Sequence, residues 1–444
     1  MFSRRDLTLL LVPLIIEQIF TALMGTADTM MVARVGDAAV SAVSLVDAIN
    51  NLMLMVMTAM ATGGTITCAQ YLGAGDRENA NRAARQVLLS VVVVSSLICL
   101  FCALLRAPML RLIFGSVDAD VMDNAKTYFL ITALSYPFLG AYYSSAALYR
   151  AAGNSRLPMI ITAISNVLNI VGNAFFLFVL HWGVFGAGFA TFLSRVFQCC
   201  CQLFFHHRPG QTIVLNHYLK IRPDFGMIRD IMAIGIPTGV ENGMFQFGRL
   251  MVQSTVATLT TTEIAAQAVV NTLEYFTSMP SMAIGLGLVT VAGQCMGAGR
   301  PEEAKHYTWV LTGISEALVI LTGIIIFLGV DTVSSLSGLS SESAAIVHSM
   351  MLLITVVKPF VWPLAFTPPN AMRAAGDVKY CMIVSSLSMW IFRVGLCVTL
   401  IRFLGFGVLG VWIAMFVDWF DRDIWNMVRF LSGKWMQHQV IKTE

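Results

Sequence analysis

Polar side chains interrupt several long apolar segments of this chain, where such groups are rare. Glu17 and Asp28 stand eleven residues apart in the first segment, nearly three helical turns, so both lie on one helix face. The fifth segment carries Asn169 and Asn173, and the sixth carries Thr191. One carboxylate among neutral oxygens suits a proton or a small cation such as Na⁺. We expect Asp28 and the three neutral residues to form one ion pocket, with a structural hydrogen-bond network as the alternative.

The second half of the chain carries a different set of intramembrane charges. Glu241, Lys358 and Arg393 lie at similar depth on three separate apolar segments. A carboxylate at that depth is costly unless a cation compensates it. We therefore expect a structural ion pair between Glu241 and either Arg393 or Lys358. A pair that switches partners is the alternative, which makes Glu241, like Glu17, a candidate ion-coupling residue.

A third polar set lies on the second and eighth segments and is the candidate lining of a substrate cavity. Gln267, Asn271 and Glu274 form one stripe at i, i+4 and i+7. On the second segment, Asn50 begins a stripe that continues with methionines. Their flexible thioethers suit a surface that accepts unlike ligands, although packing is the alternative. The candidate cavity residues are Asp47, Asn50, Met53, Met57, Gln267, Asn271 and Glu274.

These segments belong to an internal repeat with a spacing of 223 or 224 residues. The copied elements are Gln70–Gly75 and Gln294–Gly299, Arg150–Gly153 and Arg373–Gly376, and Pro13 with Glu17 against Pro237 with Glu241. Each copy would hold six spans, an even number, so both copies enter the membrane from the same side. The symmetry axis then runs along the membrane normal, and a cavity between the halves is the natural substrate site.

Composition indicates a membrane protein. Of 444 residues, 57% are hydrophobic and 12% charged, against roughly 25% charged in soluble domains. About twelve apolar segments are each long enough to cross a bilayer as a helix. They lie near 7–32, 41–66, 87–114, 124–148, 157–181, 184–206, 228–256, 264–292, 306–330, 344–370, 378–401 and 406–430. A β-barrel is disfavoured because the apolar runs are continuous rather than alternating.

The predicted fold is therefore an all-α polytopic membrane protein. It has twelve transmembrane helices in two pseudo-symmetric six-helix lobes around a central cavity. The domains are 1–205 as the N-lobe, 206–227 as a cytoplasmic linker, 228–431 as the C-lobe and 432–444 as a cytoplasmic tail.

Charge placement predicts the topology. Basic residues gather on alternate connections, so both termini are expected in the cytoplasm. We expect no cleavable signal peptide, since the first apolar run is too long.

A net charge of +3 is too small to indicate nucleic-acid binding, and nine cysteines show no disulfide or metal-binding spacing.

Taken together, these residues resemble the multidrug and toxic compound extrusion (MATE) family, within the multidrug/oligosaccharidyl-lipid/polysaccharide exporter superfamily. The resemblance spans Gly25–Thr29, Gln70–Asp76, Arg150–Gly153 and their copies. It implies two lobes forming a V-shaped cavity, and export of organic cations and other amphipathic drugs in exchange for H⁺ or Na⁺ by alternating access. Asp28 matches the first-helix Asp that members use for ion coupling, and Asn169 and Thr191 match further positions of that site.

The sequence departs from the family pattern at three places. Asn173 stands where many members with a first-lobe cation site have Asp, which favours protons over Na⁺. Phe245 stands where others carry a seventh-helix Glu, and Trp362 about where others carry a tenth-helix Asp. Glu241 is then either a substitute for these acids or a structural residue.

The sequence therefore predicts a secondary antiporter of the bacterial inner membrane. It would export small amphipathic molecules, contact membrane lipids as a monomer, and use no cofactor beyond H⁺ or, as the alternative, Na⁺. A lipid-linked oligosaccharide flippase is the closest rival, but such a cavity would be strongly basic, whereas Glu17, Asp28, Asp47 and Glu274 are acidic. HExxH, GxSxG and a convergent Cys/His set are absent from the sequence, which disfavours an enzyme.

Overall fold

The computed structural model describes residues 1–115, 117–208, 210–215, 221–438 and 440–441. The predicted linker 206–227 and tail 432–444 thus lie partly outside the described residues, at 209, 216–220, 439 and 442–444. The α-helices of the first half are α1 (Arg4–Ala33), α2 (Asp37–Gly73), α3 (Arg77–Phe114), α4 (Ala119–Leu134), α5 (Tyr136–Ala151), α6 (Arg156–Ala174) and α7 (Gly183–His206). Those of the second half are α8 (Phe225–Val256), α9 (Thr261–Gly297), α10 (Pro301–Leu328), α11 (Val330–Leu336), α12 (Ser341–Phe366), α13 (Pro368–Ala375), α14 (Val378–Ser388) and α15 (Gly407–Leu431).

The repeated sequence Gln-x-x-Gly-Ala-Gly is a helix end. It closes α2 and α9, and its last glycine takes a left-handed conformation in both copies, with φ of +79° at Gly75 and +70° at Gly299. After the first copy, Asp76 caps α3 by accepting a hydrogen bond from the Asn79 backbone N–H at 2.9 Å. This bond, together with one from the Asn79 side chain, lowers the pKa of the Asp76 carboxyl.

Several predicted spans are interrupted where the local chemistry disfavours a continuous helix. The segment 124–148 is two helices that meet at Ser135, because Pro137 has no N–H and fits only the first turn of α5. The segment 344–370 breaks at Thr367 for the same reason, before Pro368 and Pro369. Wider π-helical turns follow at Phe175–Val179, Met389–Leu396 and Thr399–Phe403.

The chain divides into two compact units. We call residues 2–239 the first unit, and residues 240–444 together with Met1 the second unit. Helix α8 passes from one to the other, and its first half packs closely on α2 in the first unit. A Cβ atom added to Gly63 would lie only 2.5 Å from the Ile231 carbonyl oxygen, so this approach requires glycine.

The described helices carry the features of membrane spans. Nine of them are long and apolar enough to cross a bilayer by length and composition. Large apolar side chains cover the outer surface, and Leu104 and Phe360, for example, are both 71% exposed. Such a surface suits contact with lipid rather than water. Helices α8 and α15 fall outside the nine; they carry ionisable residues such as Glu241 and Asp418.

Candidate functional site

The first unit brings the four predicted pocket residues together from three helices. Asn173 on α6 donates from Nδ2 to Asp28 Oδ1 on α1 at 2.6 Å, and to Asn169 Oδ1 at 2.9 Å. Asn169 Nδ2 in turn donates to Thr191 Oγ1 on α7 at 3.4 Å. Because Asn169 and Asn173 are four residues apart, both amides leave the same face of α6. We call Asp28, Asn169, Asn173 and Thr191 the first-unit pocket.

The first-unit pocket holds one carboxylate that no direct counter-ion balances. Asn169 and Asn173 are only 4% and 1% exposed. Within the described residues no Lys or Arg nitrogen lies within 4 Å of Asp28, and Asn173 Oδ1 is buried without a hydrogen-bond partner. Asp28 itself is half-buried, so its carboxylate is partly desolvated and has no direct counter-ion.

A second acid stands near the pocket. Asp47 on α2 accepts hydrogen bonds from Asn50 Nδ2 at 3.0 Å and from the Tyr128 hydroxyl at 3.5 Å. Tyr136 donates to Asn50 Oδ1 at 2.7 Å, which fixes the orientation of that amide. Asp47 and Asp28 are close enough for their like charges to interact.

Arg195 is a site residue that the sequence reasoning missed. It lies one helical turn beyond Thr191 on α7 and donates to Ser135 Oγ at 2.6 Å. Its positive charge attracts both Asp28 and Asp47 without direct contact with either carboxylate. Its four-residue spacing from Thr191, inside an apolar segment, was the signal that could have identified it.

Glu17, a predicted ion-coupling residue, lies in an ion pair away from Asp28. Arg150 Nη2 on α5 lies 3.1 Å from Glu17 Oε1, and the two side chains are 11% and 5% exposed. Eleven residues of helix separate Glu17 from Asp28 by roughly 16 Å, so the two acids lie at different depths in the membrane.

The expected pairing of Glu241 is wrong. Glu241 contacts Arg373 on α13 at 2.6 Å, not Arg393 or Lys358. Lys358 instead contacts Glu274 at 2.5 Å, and Arg393 contacts Asp418 on α15 at 2.8 Å. Similar depth in the membrane does not fix the direction in which a side chain leaves its helix. The internal repeat indicates the observed pairing, because Arg373 is the copy of Arg150 and Glu241 is the copy of Glu17.

The remaining predicted cavity residues lie in separate surroundings. Gln267 donates to Asn271 at 3.1 Å and accepts from Trp412 Nε1 at 2.9 Å, so these amides are already engaged. Met57 is fully buried in the core of the first unit, and Met53 packs against that core. This burial fits the packing interpretation for Met57.

Comparison with known proteins identifies the family. The family model MatE matches residues 13–175 and 237–399, well over half of the chain and both copies of the repeat. The chain belongs to the MATE family. It is therefore a multi-pass membrane transporter and not an enzyme.

Curated multidrug resistance proteins are similar to this chain over most of their length. The chain is 27% identical to the probable multidrug resistance protein NorM of Thermotoga maritima, covering 99% of this chain and 95% of that protein. It is 23% identical to the multidrug resistance protein PmpM of Pseudomonas aeruginosa, covering 87% and 81%.

Solved MATE structures share the fold. A crystal structure of a MATE protein in the bent conformation matches with a TM-score of 0.88 at 18% identity, over 97% of this chain and 94% of the other. A variant of the Vibrio cholerae MATE transporter VcmN matches with a TM-score of 0.88 at 16% identity, over 97% and 96%. The predicted twelve-helix transporter fold is confirmed.

In this MATE transporter, aromatic rings occupy the two second-unit positions where the sequence departs from the family acids. The Arg393 guanidinium lies 4.9 Å from the centre of the Phe245 ring, and the Lys358 ammonium lies 5.5 Å from that of Trp362. Such faces attract cations. In the second unit these rings therefore contact basic side chains of the same unit.

Proposed function

We propose that this transporter exports amphipathic, often cationic, drug-like molecules across the bacterial inner membrane in exchange for protons. It works as a monomer by alternating access, with both termini in the cytoplasm. The multidrug resistance relatives support the substrate class, and the unbalanced carboxylate of Asp28 supports the coupling ion. Na⁺ in the first-unit pocket is the alternative.

Protonation of Asp28 would rewire the contacts between α1 and α6. The ionised carboxylate accepts from Asn173 Nδ2, but the protonated acid becomes a donor on one oxygen. Asn173 Oδ1 is buried without a hydrogen-bond partner and is therefore a candidate acceptor for that proton. If the Asn173 amide turned to present that oxygen, its bond to Asn169 would weaken and the link to Thr191 on α7 would loosen. One proton would then change how three helices are held together.

The same geometry favours a proton over Na⁺. The amide nitrogen of Asn173 lies 2.6 Å from Asp28 Oδ1 and so fills one of the positions from which a cation could bind that oxygen. A hard cation prefers several oxygens, more than one of them charged. Here the pocket offers one carboxylate, and its closest neighbour is a donor.

One proton carries enough free energy for useful export of a neutral solute. Moving one positive charge inward down a 100 mV potential releases about 2.3 kcal/mol. A pH difference of one unit adds about 1.4 kcal/mol. Together these support accumulation ratios of roughly several hundred-fold, since each 1.4 kcal/mol is a factor of ten.

Reconstitution tests this proposal. Protein in liposomes is given an imposed pH gradient, with and without Na⁺, and efflux of a fluorescent organic cation is followed. We expect efflux driven by the pH gradient without Na⁺ and its loss in Asp28→Asn. Asp123→Asn, whose side chain is 77% exposed in the same unit, serves as the matched control and should transport normally. Normal pumping by Asp28→Asn would contradict the proposal, and a strict Na⁺ requirement would assign the coupling to Na⁺.

A further inference from the structure

The ammonium group of Lys358 sits inside a cage of oxygens in the second unit. Its Nζ lies 2.5 Å from Glu274 Oε1, 2.6 Å from Thr277 Oγ1, 2.5 Å from Ser278 Oγ and 3.1 Å from the Glu274 carbonyl oxygen. An ammonium has three protons, yet four oxygens surround it. Lys358 is only 1% exposed. The arrangement therefore resembles the coordination shell of a monovalent cation more than a simple ion pair.

The cage is built by one face of α9. Glu274, Thr277 and Ser278 follow each other at i, i+3 and i+4, so their side chains project together. The Thr277 hydroxyl donates to the Glu274 carbonyl oxygen at 2.7 Å, and the Ser278 hydroxyl donates to Glu274 Oε1 at 2.8 Å. Each hydroxyl proton is thereby turned away, which leaves both oxygens free to accept from Lys358. The oxygens are oriented toward a cation by their own hydrogen bonds.

We infer that Lys358 fills a monovalent-cation site of the second unit with its own ammonium group. Because the ammonium is attached to α12, it cannot be released, and the site is loaded throughout the transport cycle. The site therefore exchanges no ion with the solution in the native protein. This inference rests on the proposed function in one respect: a free cation bound in this site would be a coupling ion.

The surrounding charges agree with this assignment. Asp418 cannot serve a solute cation, since Arg393 and Arg422 lie 2.8 and 2.9 Å from its carboxylate oxygens. Glu274 is left as the anionic member of the cage, and Lys358 is the single cation within 4 Å of it among the described residues. The repeat position that would correspond to Asp28, 224 residues on, holds Val252. The second unit thus lacks a copy of the first-unit pocket.

Removing the tethered ammonium should expose the cage to free cations. Protein in detergent is prepared with Asp28→Asn, which removes the first-unit pocket, alone and combined with Lys358→Ala. The melting temperature is measured during titration with methylammonium chloride or NaCl, with choline chloride, too bulky to enter, as the ionic-strength reference. We expect the Lys358→Ala protein to gain at least about 2 °C, saturably, from methylammonium or Na⁺. Asp28→Asn alone should gain nothing beyond the choline reference.

Two further variants test whether the gain in melting temperature depends on the charge of the cage. Adding Glu274→Gln to the Lys358→Ala protein should abolish the gain, because the cage loses its charge. Asp423, another buried acid of the second unit, is tested by Asp423→Asn, which should leave the gain intact. A gain that survives Glu274→Gln or vanishes with Asp423→Asn would overturn the inference, as would a folded Lys358→Ala protein that responds to neither cation.

If Lys358→Ala does not fold, Lys358→Arg decides the question. A guanidinium is planar and larger than an ammonium, so it cannot fill a compact four-oxygen cage. We expect Lys358→Arg to melt several degrees below the parent protein, whereas equal stability would show an ordinary ion pair and refute the cation site. None of these measurements requires transport. Efflux by Asp28→Asn would therefore defeat the proposed function and leave this inference standing.

Discussion

The two units share one largely buried ion pair and differ in the partners of their other acids. Glu17 pairs with Arg150 in the first unit, and their repeat copies Glu241 and Arg373 pair in the second. Asp28, by contrast, has no basic partner within 4 Å in the described chain. Duplication preserved the pair that joins helices, while the other intramembrane acids diverged.

The two units differ in whether their buried or half-buried acids have basic partners. In the second unit, Glu274 and Asp418 are each held by a basic side chain within 3 Å. Paired buried charges are costly to separate, so these contacts fix helices in place. The carboxylates of Asp28 and Asp47 have no such partner among the described residues. We therefore expect ion exchange in the first unit and rigidity in the second.

The largest expected effect follows from breaking the charge cluster of the second unit. Asp418→Asn would leave Arg393 and Arg422 buried without their counter-ion, at a cost of about 3–5 kcal/mol in the free energy of unfolding. Thermal melting in detergent measures it, and Asp123→Asn is the exposed control. A variant as stable as the parent would show that the cluster is not rigid.

The duplicated ion pair offers a matched test across the two units. Arg150→Met and Arg373→Met should each destabilise by about 1.5–3 kcal/mol, because each leaves a largely buried carboxylate without its charged partner. Efflux per folded molecule should stay proton-driven in both. Adding Glu17→Gln to Arg150→Met should recover part of the stability. Loss of proton coupling in Arg150→Met at unchanged stability would instead make Glu17 an ion-coupling residue.

A carboxylate added to the first-unit pocket should alter its ion preference. In Asn173→Asp two acids would face each other, and Na⁺ would compensate them better than one proton. We expect Na⁺ to stimulate efflux about tenfold, which corresponds to about 1.4 kcal/mol. Asn166→Asp, on the same helix but outside the pocket, should show no stimulation. Na⁺-independent efflux in Asn173→Asp would count against the pocket as an ion site.

The smallest effect is expected from the methionines. Met57→Leu conserves volume in a packed core and should cost less than about 1.5 kcal/mol. Because Met57 is fully buried, the range of exported substrates should not change. A panel of structurally unrelated cations checks this, and an altered range would return Met57 to the cavity lining.

The sequence predicted the parts that depend on order along one helix. Apolar length gave the spans, and the four-residue spacing of Asn169 and Asn173 placed both amides on one face of α6. The break at Ser135 was missed because residues 124–148 form one largely apolar segment, and the effect of Pro137 depends on where the helix restarts. The pairing of Lys358 with Glu274 depends on the rotation of α12 against α9, which depth alone does not specify. Only the repeat could have indicated the partner of Glu241, since both halves carry the Glu and the Arg.

Proton release on substrate binding measures whether Asp28 exchanges its hydrogen ion for the transported molecule. Purified protein in weakly buffered detergent solution is mixed with an organic cation while a pH indicator records released protons, and binding is measured in parallel. We predict that the native protein releases protons as substrate binds, approaching one per molecule at saturation, and that Asp28→Asn binds without release. Equal release from Asp28→Asn would contradict the proposal and move the exchanging acid elsewhere in the chain.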